Sequence, residues 1–430
     1  MYILMVVAFV IGYFFIAMEH PFKIDKAASA ILTGVICWVI LFFSRDTILA
    51  GMPHEEIDAA LLEHVGGIAQ ILFFLMGAMT IVELIDVHDG FKVVTSKIST
   101  LNQVKLIWIV SIVTFFLSAV LDNLTTSIVM AALLRKLISK KETLWMFGGM
   151  VVIAANAGGA WSPIGDVTTI MLWIGGQITA LNIVLKIFLP SVFCLLVPLI
   201  AISTYLKGEV ARPQVKANAE EKATASNFEQ RLIFWMGIGG LLFVPVFKNV
   251  THLPPFLGML FSLGVLWVTT EFLHRRKEEN SHHSLLVASV IRRIDTPSVL
   301  FFLGILLAVA SLETAGHLAQ LATAMDKQFG SIYTINTLIG LLSSVVDNVP
   351  LVAGGMGMYS LEVYPPDHTF WELLAYCAGT GGSVLIIGSA AGVAIMAILK
   401  IDFIWYMKKI SWLALIGYFA GIAAYYLIAG

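Results

Sequence analysis

Long apolar runs separated by short polar breaks make up most of the chain. They fall at about 1–17, 27–43, 66–86, 103–121, 145–174 and 181–206, then at about 231–249, 255–273, 297–315, 331–346, 370–399 and 404–428. Most approach the roughly 20 residues that a helix needs to cross a hydrocarbon core. A polar stretch, Lys207–Gln230, carrying Pro213 and several Ala, Glu and Lys residues, divides the two sets. Order and spacing match on its two sides, which predicts repeats at 1–206 and 231–430 joined by a linker at 207–230. Met1–Ala17 has the length of a signal sequence but lacks a basic start and a small-residue cleavage site, so it is expected to be a span.

Residue patterns support the repeat. Phe73-Phe74-Leu75 near Gly77 returns as Phe301-Phe302-Leu303-Gly304. Asn156-Ala157-Gly158-Gly159 followed by Gly165 returns as Gly379-Thr380-Gly381-Gly382 followed by Gly388, with the same Gly-Gly to Gly spacing. Leu121-Asp122-Asn123-Leu124 returns as Val346-Asp347-Asn348-Val349.

Composition settles the class. Hydrophobic residues make up 59% of the chain, charged residues 13%, and the mean hydropathy is +0.90, whereas soluble domains run about 45–50% apolar and about 25% charged. The expected fold is an all-α polytopic membrane protein. A net charge of -2 says little about partners, because the charges are segregated into the breaks. Cys37, Cys194 and Cys377 lie singly inside apolar runs and read as small buried residues.

The placement of cations decides the topology. If 103–121 and 331–346 dip into the membrane, turn at Asp-Asn and return through Leu124–Leu137 and Val349–Leu361, there are about ten crossings and two re-entrant hairpins. All but Arg45, Lys186, Lys248 and Lys327 of the 26 Lys and Arg residues then share one face, and both termini lie on the other. If both segments crossed fully, Arg135, Lys136, Lys140 and Lys141 would move to the far side, against the positive-inside bias. The hairpin arrangement makes the cation-rich face cytoplasmic and the termini external. An odd number of crossings separates Asp122 from Asp347, so the halves have inverted topology. One hairpin enters from the cytoplasm, the other from outside, and their tips meet near the midplane.

An ionised Asp in lipid is costly and marks a functional site. At the hairpin tips, half-helices leave unpaired carbonyls and N–H groups. Asp122, Asn123, Thr125 and Thr126 add hard oxygen ligands, as do Ser343, Ser344, Asp347 and Asn348, and such sets suit small hard cations. Helix capping explains an Asp at these places in part, but Ser or Thr would cap without charge. Pro163 and Gly158, Gly159 and Gly165 predict a broken helix within Asn156–Met171, with Asp166, Thr168 and Thr169 at the break. Its counterpart, Gly379–Gly392, has Ser383 and Ser389 but no acid, so the halves are unequal ligands.

Other polar residues carry less. Glu83, Asp86 and Glu313 end spans and read as interfacially solvated. His54-Glu55-Glu56-Ile57-Asp58 brushes a zinc-protease pattern but lacks the second histidine, and it is expected in an external loop. Arg275-Arg276-Lys277 and Arg292-Arg293 read as cytoplasmic anchors rather than a nucleic-acid site. Trp38, Trp145, Trp371 and Trp405 near span ends are expected to form an aromatic belt.

The Asp-Asn tips together with Gly158-Gly159-Ala160-Trp161-Ser162-Pro163-Ile164-Gly165-Asp166-Val167-Thr168-Thr169 resemble the NhaD-type Na⁺/H⁺ antiporters. These belong to the ion-transporter superfamily, with the arsenite pumps and sodium-coupled dicarboxylate carriers. The resemblance covers nearly the whole chain. It implies an inverted-repeat fold, a bacterial-type plasma membrane, a homodimer, and exchange of cytoplasmic Na⁺ (often Li⁺) for external protons with no cofactor. Carried over by residue, it points to Asp122, Asn123, Thr125, Asp166, Thr168, Thr169, Asp347 and Asn348. The dicarboxylate carriers have neutral hydroxyls at three places where this sequence has carboxylates, which argues for a cation as cargo.

A buried carboxylate can hold a proton or Na⁺, and such competition at a carrier that changes faces only when occupied gives exchange. Two rivals remain at this level. An organic-acid or arsenite carrier coupled to Na⁺ needs a substrate-sized pocket, and no intramembrane arginine clamps a carboxylate. A scaffold or enzyme leaves three intramembrane acids unexplained, and no nucleophile–base pair or metal motif is present.

Overall fold

A computed structural model describes residues 2–45, 53–96, 98, 100–212, 225–275 and 285–429. Part of the expected linker, 213–224, and the cations Lys97, Lys216, Lys222, Arg276 and Lys277 lie outside the described residues. We number the main helices α1 (Tyr2–Ala17), α2 (Lys26–Phe43), α3 (His54–Val87), α4 (Gln103–Leu121), α5 (Asn123–Leu137), α6 (Lys141–Ala160), α7 (Val167–Ile174), α8 (Ala180–Tyr205) and α9 (Asn227–Thr251). There follow α10 (Pro255–His274), α11 (Thr296–Thr314), α12 (His317–Phe329), α13 (Ile332–Leu342), α14 (Asn348–Met358), α15 (Thr369–Gly381), α16 (Ala390–Leu399), α17 (Phe403–Lys409) and α18 (Ser411–Ala429).

The protein is an all-helical polytopic membrane protein. Among the described residues, 9 helices are long and apolar enough to cross a membrane, or 10 if the pair α16–α17, bent by 116°, is one span. Helix α4 is one of the nine by length, yet its connections make it half of a hairpin. Before α4, the Val210 N–H donates to the Leu101 carbonyl (2.8 Å) and the Gln103 N–H to the Gly208 carbonyl (3.1 Å). After α5, the Ser139 N–H donates to the Ala211 carbonyl (2.8 Å). One short stretch, 208–211, thus binds both ends of α4–α5, so the chain leaves by the face it entered.

The second hairpin, α13–α14, closes in the same way. The Tyr359 hydroxyl, just past α14, donates to Asp326 Oδ1 (2.8 Å) in α12, just before α13. The two hairpins open at opposite ends of α8, whose 26 residues extend roughly 39 Å at 1.5 Å per residue. Tyr205 leads into the stretch that binds the first hairpin. At the other end the Thr179 N–H donates to Asp367 Oδ1 (2.6 Å), a short loop beyond the second hairpin.

Contacts recur in both halves. Helices α4 and α6 pack as α13 and α15 do, and α5 packs on α16 as α14 does on α7. Ser118 Oγ donates to the Ala155 carbonyl (2.6 Å), and Ser343 Oγ donates to that of Ala378 (2.8 Å). A Cβ on Gly158 would overlap the Phe115 carbonyl, and one on Gly381 would overlap that of Gly340. Each broken helix therefore lies backbone-to-backbone against the entering leg of its own hairpin. The repeat legible in the residue pattern is an inverted repeat in space.

Several expectations are corrected. His54–Asp58 opens α3 after Pro53, in helix rather than loop, because Glu55 and Glu56 suit a first turn. The run at 404–428 is divided between α17 and α18. Trp38, Trp145 and Trp371 form no belt at the surface. They are buried, and each indole N–H donates to a carbonyl: Leu307 (2.9 Å), Leu399 (3.0 Å) and Tyr364 (2.9 Å) respectively. The three cysteines are free and buried. Asp86 and Glu313 are exposed and Glu83 half-buried, in keeping with solvated span ends.

Candidate ion site

Three helix starts converge at the centre of the molecule, and each is capped by an aspartate. Asp122 Oδ1 accepts from the Thr125 N–H (2.7 Å) and Oδ2 from the Thr125 hydroxyl (2.9 Å), which begins α5. Asp166 Oδ1 accepts from the Thr168 N–H (3.0 Å) and begins α7. Asp347 Oδ1 accepts from the Val349 N–H (3.2 Å) and begins α14. Capping is therefore part of their job, as the residue type predicts. It also orients each carboxylate beside a helix N-terminus.

The first tip carries backbone strain. Asp122 has φ 133° and ψ 164°, a region that residues with a Cβ rarely adopt and that costs of order 1–3 kcal/mol. The two bonds from Thr125 hold it there. Strain of this kind survives where the surroundings over-determine the conformation.

Asp166 is the hub of a buried polar network that joins both halves. Its Oδ2 accepts from Asn123 Nδ2 (2.8 Å), and Asn348 Nδ2 reaches both oxygens at 3.4 Å. Asn123 Nδ2 also donates to Asn156 Oδ1 (3.1 Å). Asn156 Nδ2 donates to Ser383 Oγ and Ser389 Oγ, each at 2.9 Å. Asn123, Asn156, Asp166, Asn348, Ser383 and Ser389 are all buried. Both Asp-Asn tips and both broken helices therefore meet in one cluster. Buried polar groups persist when paired in this way.

Beside the network is a cavity of about 60 Å³, lined by Asp122, Asn123, Thr125, Asp166, Asp347 and Asn348, with Lys26 and Ser298 among its other walls. The remaining sequence candidates lie elsewhere. Thr169 Oγ1 donates to the Asp166 carbonyl (2.8 Å), Ser343 Oγ to that of Ala378 (2.8 Å), and Ser344 Oγ to that of Leu341 (2.7 Å). Thr126 and Thr168 are buried outside the cavity wall. The Thr126 and Ser127 hydroxyls have no hydrogen-bond partner among the described residues.

Sequence reasoning missed two wall residues. In the sequence Lys26 counts only as one of the cations of the cation-rich face, and Ser298 carries no motif. Lys26 Nζ lies 3.6 Å from Asp347 Oδ2 and 4.5 Å from the centroid of the Phe301 ring. One signal was available: a lysine in a helix's first turn opposes the helix dipole.

Comparison with known proteins agrees with a multi-pass membrane transporter. A family model described as CitMHS, citrate transporter, matches residues 13–371. A relative named sodium/proton antiporter 1, from Arabidopsis thaliana, is 48% identical over 424 residues, which cover 98% of this chain and 71% of the relative. Sodium/proton antiporter 2 of the same plant is 44% identical over 427 residues, 98% of each chain. The Na(+)/H(+) antiporter NhaD of Vibrio cholerae is 28% identical over 449 residues, 98% of this chain and 90% of the relative. With a match across most of its length, the chain belongs to the citrate transporter family, has relatives named sodium/proton antiporters, and is a transporter rather than an enzyme.

Proposed function

We propose that this protein exchanges cytoplasmic Na⁺, and also Li⁺, for external protons by alternating access at the cavity between the two hairpin tips. The observation that carries this reading is the convergence of Asp122, Asp166 and Asp347, from three separate chain segments, on one cavity of about 60 Å³. Carboxylate and carboxamide oxygens suit a hard monovalent cation, and no thiolate or imidazole lines the space. A proton and Na⁺ compete for the same oxygens. A site with neither bears unbalanced charge, three carboxylates against one ammonium, and does not change faces, which couples the two flows. The repeats 1–206 and 231–430, joined at 207–230, move against one another around the fixed site. The mouth at Lys26 and Ser298, in the first turns of α2 and α11, is cytoplasmic, and the termini are external. Dimerisation and the Li⁺ preference rest on the family resemblance alone.

The family's description as citrate transporters favours a second reading, an organic-acid carrier. Size argues against it. Organic ligands occupy pockets of about 300–1,000 Å³, whereas this cavity, at about 60 Å³, has room for only a few waters. Its walls hold three carboxylates and one ammonium, which repel a polyanion.

The test is proton flux in inverted membrane vesicles on addition of Na⁺, Li⁺, K⁺ or citrate. Na⁺ should collapse a preformed pH gradient. If one proton competes with one Na⁺, the Na⁺ concentration for half-maximal exchange should fall about tenfold per pH unit over the range where the proton holds the site. Vesicles that take up citrate and show no Na⁺-driven proton movement at alkaline pH would overturn the proposal.

A further inference from the structure

Within the cavity wall, among the described residues, Lys26 is the only cation, facing Asp122, Asp166 and Asp347. Its surroundings are specific. Asp25 caps α2 by accepting from the Ala27 N–H (2.8 Å), so the cap is already supplied without Lys26. A positive charge one residue later works against the dipole and does nothing for the helix. The ammonium instead turns toward Asp347 Oδ2 at 3.6 Å and lies over the Phe301 ring at 4.5 Å. An aromatic face stabilises a cation on one side while leaving the other side free to pair. Helix α2 packs along α11, which carries Phe301, so the lysine stem is held by a helix pair and not by a loop.

Resting on the cation-exchange reading, we propose that Lys26 is a tethered counter-cation: its ammonium occupies Asp347 when the site is free of Na⁺, and the transported ion must displace it. Asp347 alone is then balanced in the empty carrier, while Asp122 and Asp166 keep the site as a whole uncompensated, and Na⁺ binds only at the expense of an ion pair. Lys26 thereby sets Na⁺ affinity. The side chain of Lys26 is 27% exposed and that of Asp347 20%, so water is at hand to receive the displaced ammonium. The effect expected of such a partly solvated pair is modest, of the order of three- to tenfold in Na⁺ affinity.

The experiment uses detergent-purified full-length protein and reads the Na⁺ concentration that half-maximally raises its melting temperature, at one fixed pH. The same variants are assayed for exchange in proteoliposomes. Lys26→Met keeps a stem over Phe301 and removes the charge. It should shift the Na⁺ midpoint, and the Na⁺ KM for exchange, three- to tenfold lower. Lys26→Arg should stay near the original value. In an Asp347→Asn background the methionine change should produce no further shift. An unchanged or raised midpoint in Lys26→Met would overturn the proposal, as would an equal shift in the Asp347→Asn background. Lys26→Gln serves if Lys26→Met does not fold; failure of both neutral variants beside an intact Lys26→Arg would assign the charge a structural role and also overturn it. Unmodified protein showing neither Na⁺-dependent stabilisation nor exchange would instead defeat the cation-exchange reading itself.

Discussion

Replacing Asp166 by Asn and, separately, by Leu divides the charge of the site from its hydrogen bonding. Asp166 accepts from the Thr168 N–H, Asn123 Nδ2 and Asn348 Nδ2. With Asp166→Asn, one oxygen still caps α7. The new NH₂ faces Asn123, which can turn its carboxamide to present oxygen. Asn156 can turn in response, and the Ser383 and Ser389 hydroxyls then donate to it where they now accept. The contacts among Asn123, Asn156, Ser383, Ser389 and position 166 are thereby kept, and the main loss is the extra strength of bonds to an ionised acceptor, about 1–3 kcal/mol in all. Asp166→Leu strands two buried donors, the Thr168 N–H and Asn348 Nδ2, and leaves Asn123 Nδ2 only Asn156, which at about 1–3 kcal/mol for each stranded donor comes to about 2–6 kcal/mol. Set against a typical stability of about 5–15 kcal/mol, the Asn variant should fold and the Leu variant should be severely destabilised. Thermal unfolding in detergent reads this, and vesicle proton flux reads function, which both variants should lose. An Asp166→Leu protein as stable as Asp166→Asn would refute the network argument. Near-normal Na⁺-driven flux in Asp166→Asn would show that the charge is not used.

Other expectations follow from the fold. Gly158→Ala and Gly381→Ala should each lower the melting temperature, costing about 1–3 kcal/mol by overpacking against the Phe115 and Gly340 carbonyls. Gly66→Ala, in α3 with nothing within 4 Å of the added methyl, should be neutral or slightly stabilising. A cysteine replacing exposed Lys140 should react with an impermeant thiol reagent only from the cytoplasmic side, and one replacing exposed Lys327 only from outside. Labelling of both from the same side would break the inverted arrangement.

Much of the architecture was readable before any coordinates. Hydropathy is a local property, so the runs and the breaks at Pro163 and the glycine pairs could be read residue by residue. The Asp-Asn pairs were conspicuous because charge inside an apolar run has few structural uses. Even the hairpins followed from the placement of Arg135, Lys136, Lys140 and Lys141. The less successful expectations concern residues whose environment depends on distant partners. Trp38, Trp145 and Trp371 sit where an aromatic belt would, and each found a carbonyl on another helix or across a loop instead.

Chain pattern alone determined the class, the repeat and the identity of the acids. Tertiary structure decided what the acids face. Asp166 becomes a hub only because Gly158 and Gly381 let each broken helix lie against its hairpin backbone, bringing Asn123 and Asn348 within reach of one carboxylate. Thr169, Ser343 and Ser344 have suitable hydroxyls, but neighbouring backbone carbonyls take them up. Lys26 and Asp347 lie far apart in sequence and meet across the packing of α2, α11 and the second hairpin tip. No local propensity encodes that meeting, because it depends on the relative placement of elements whose own formation is indifferent to it.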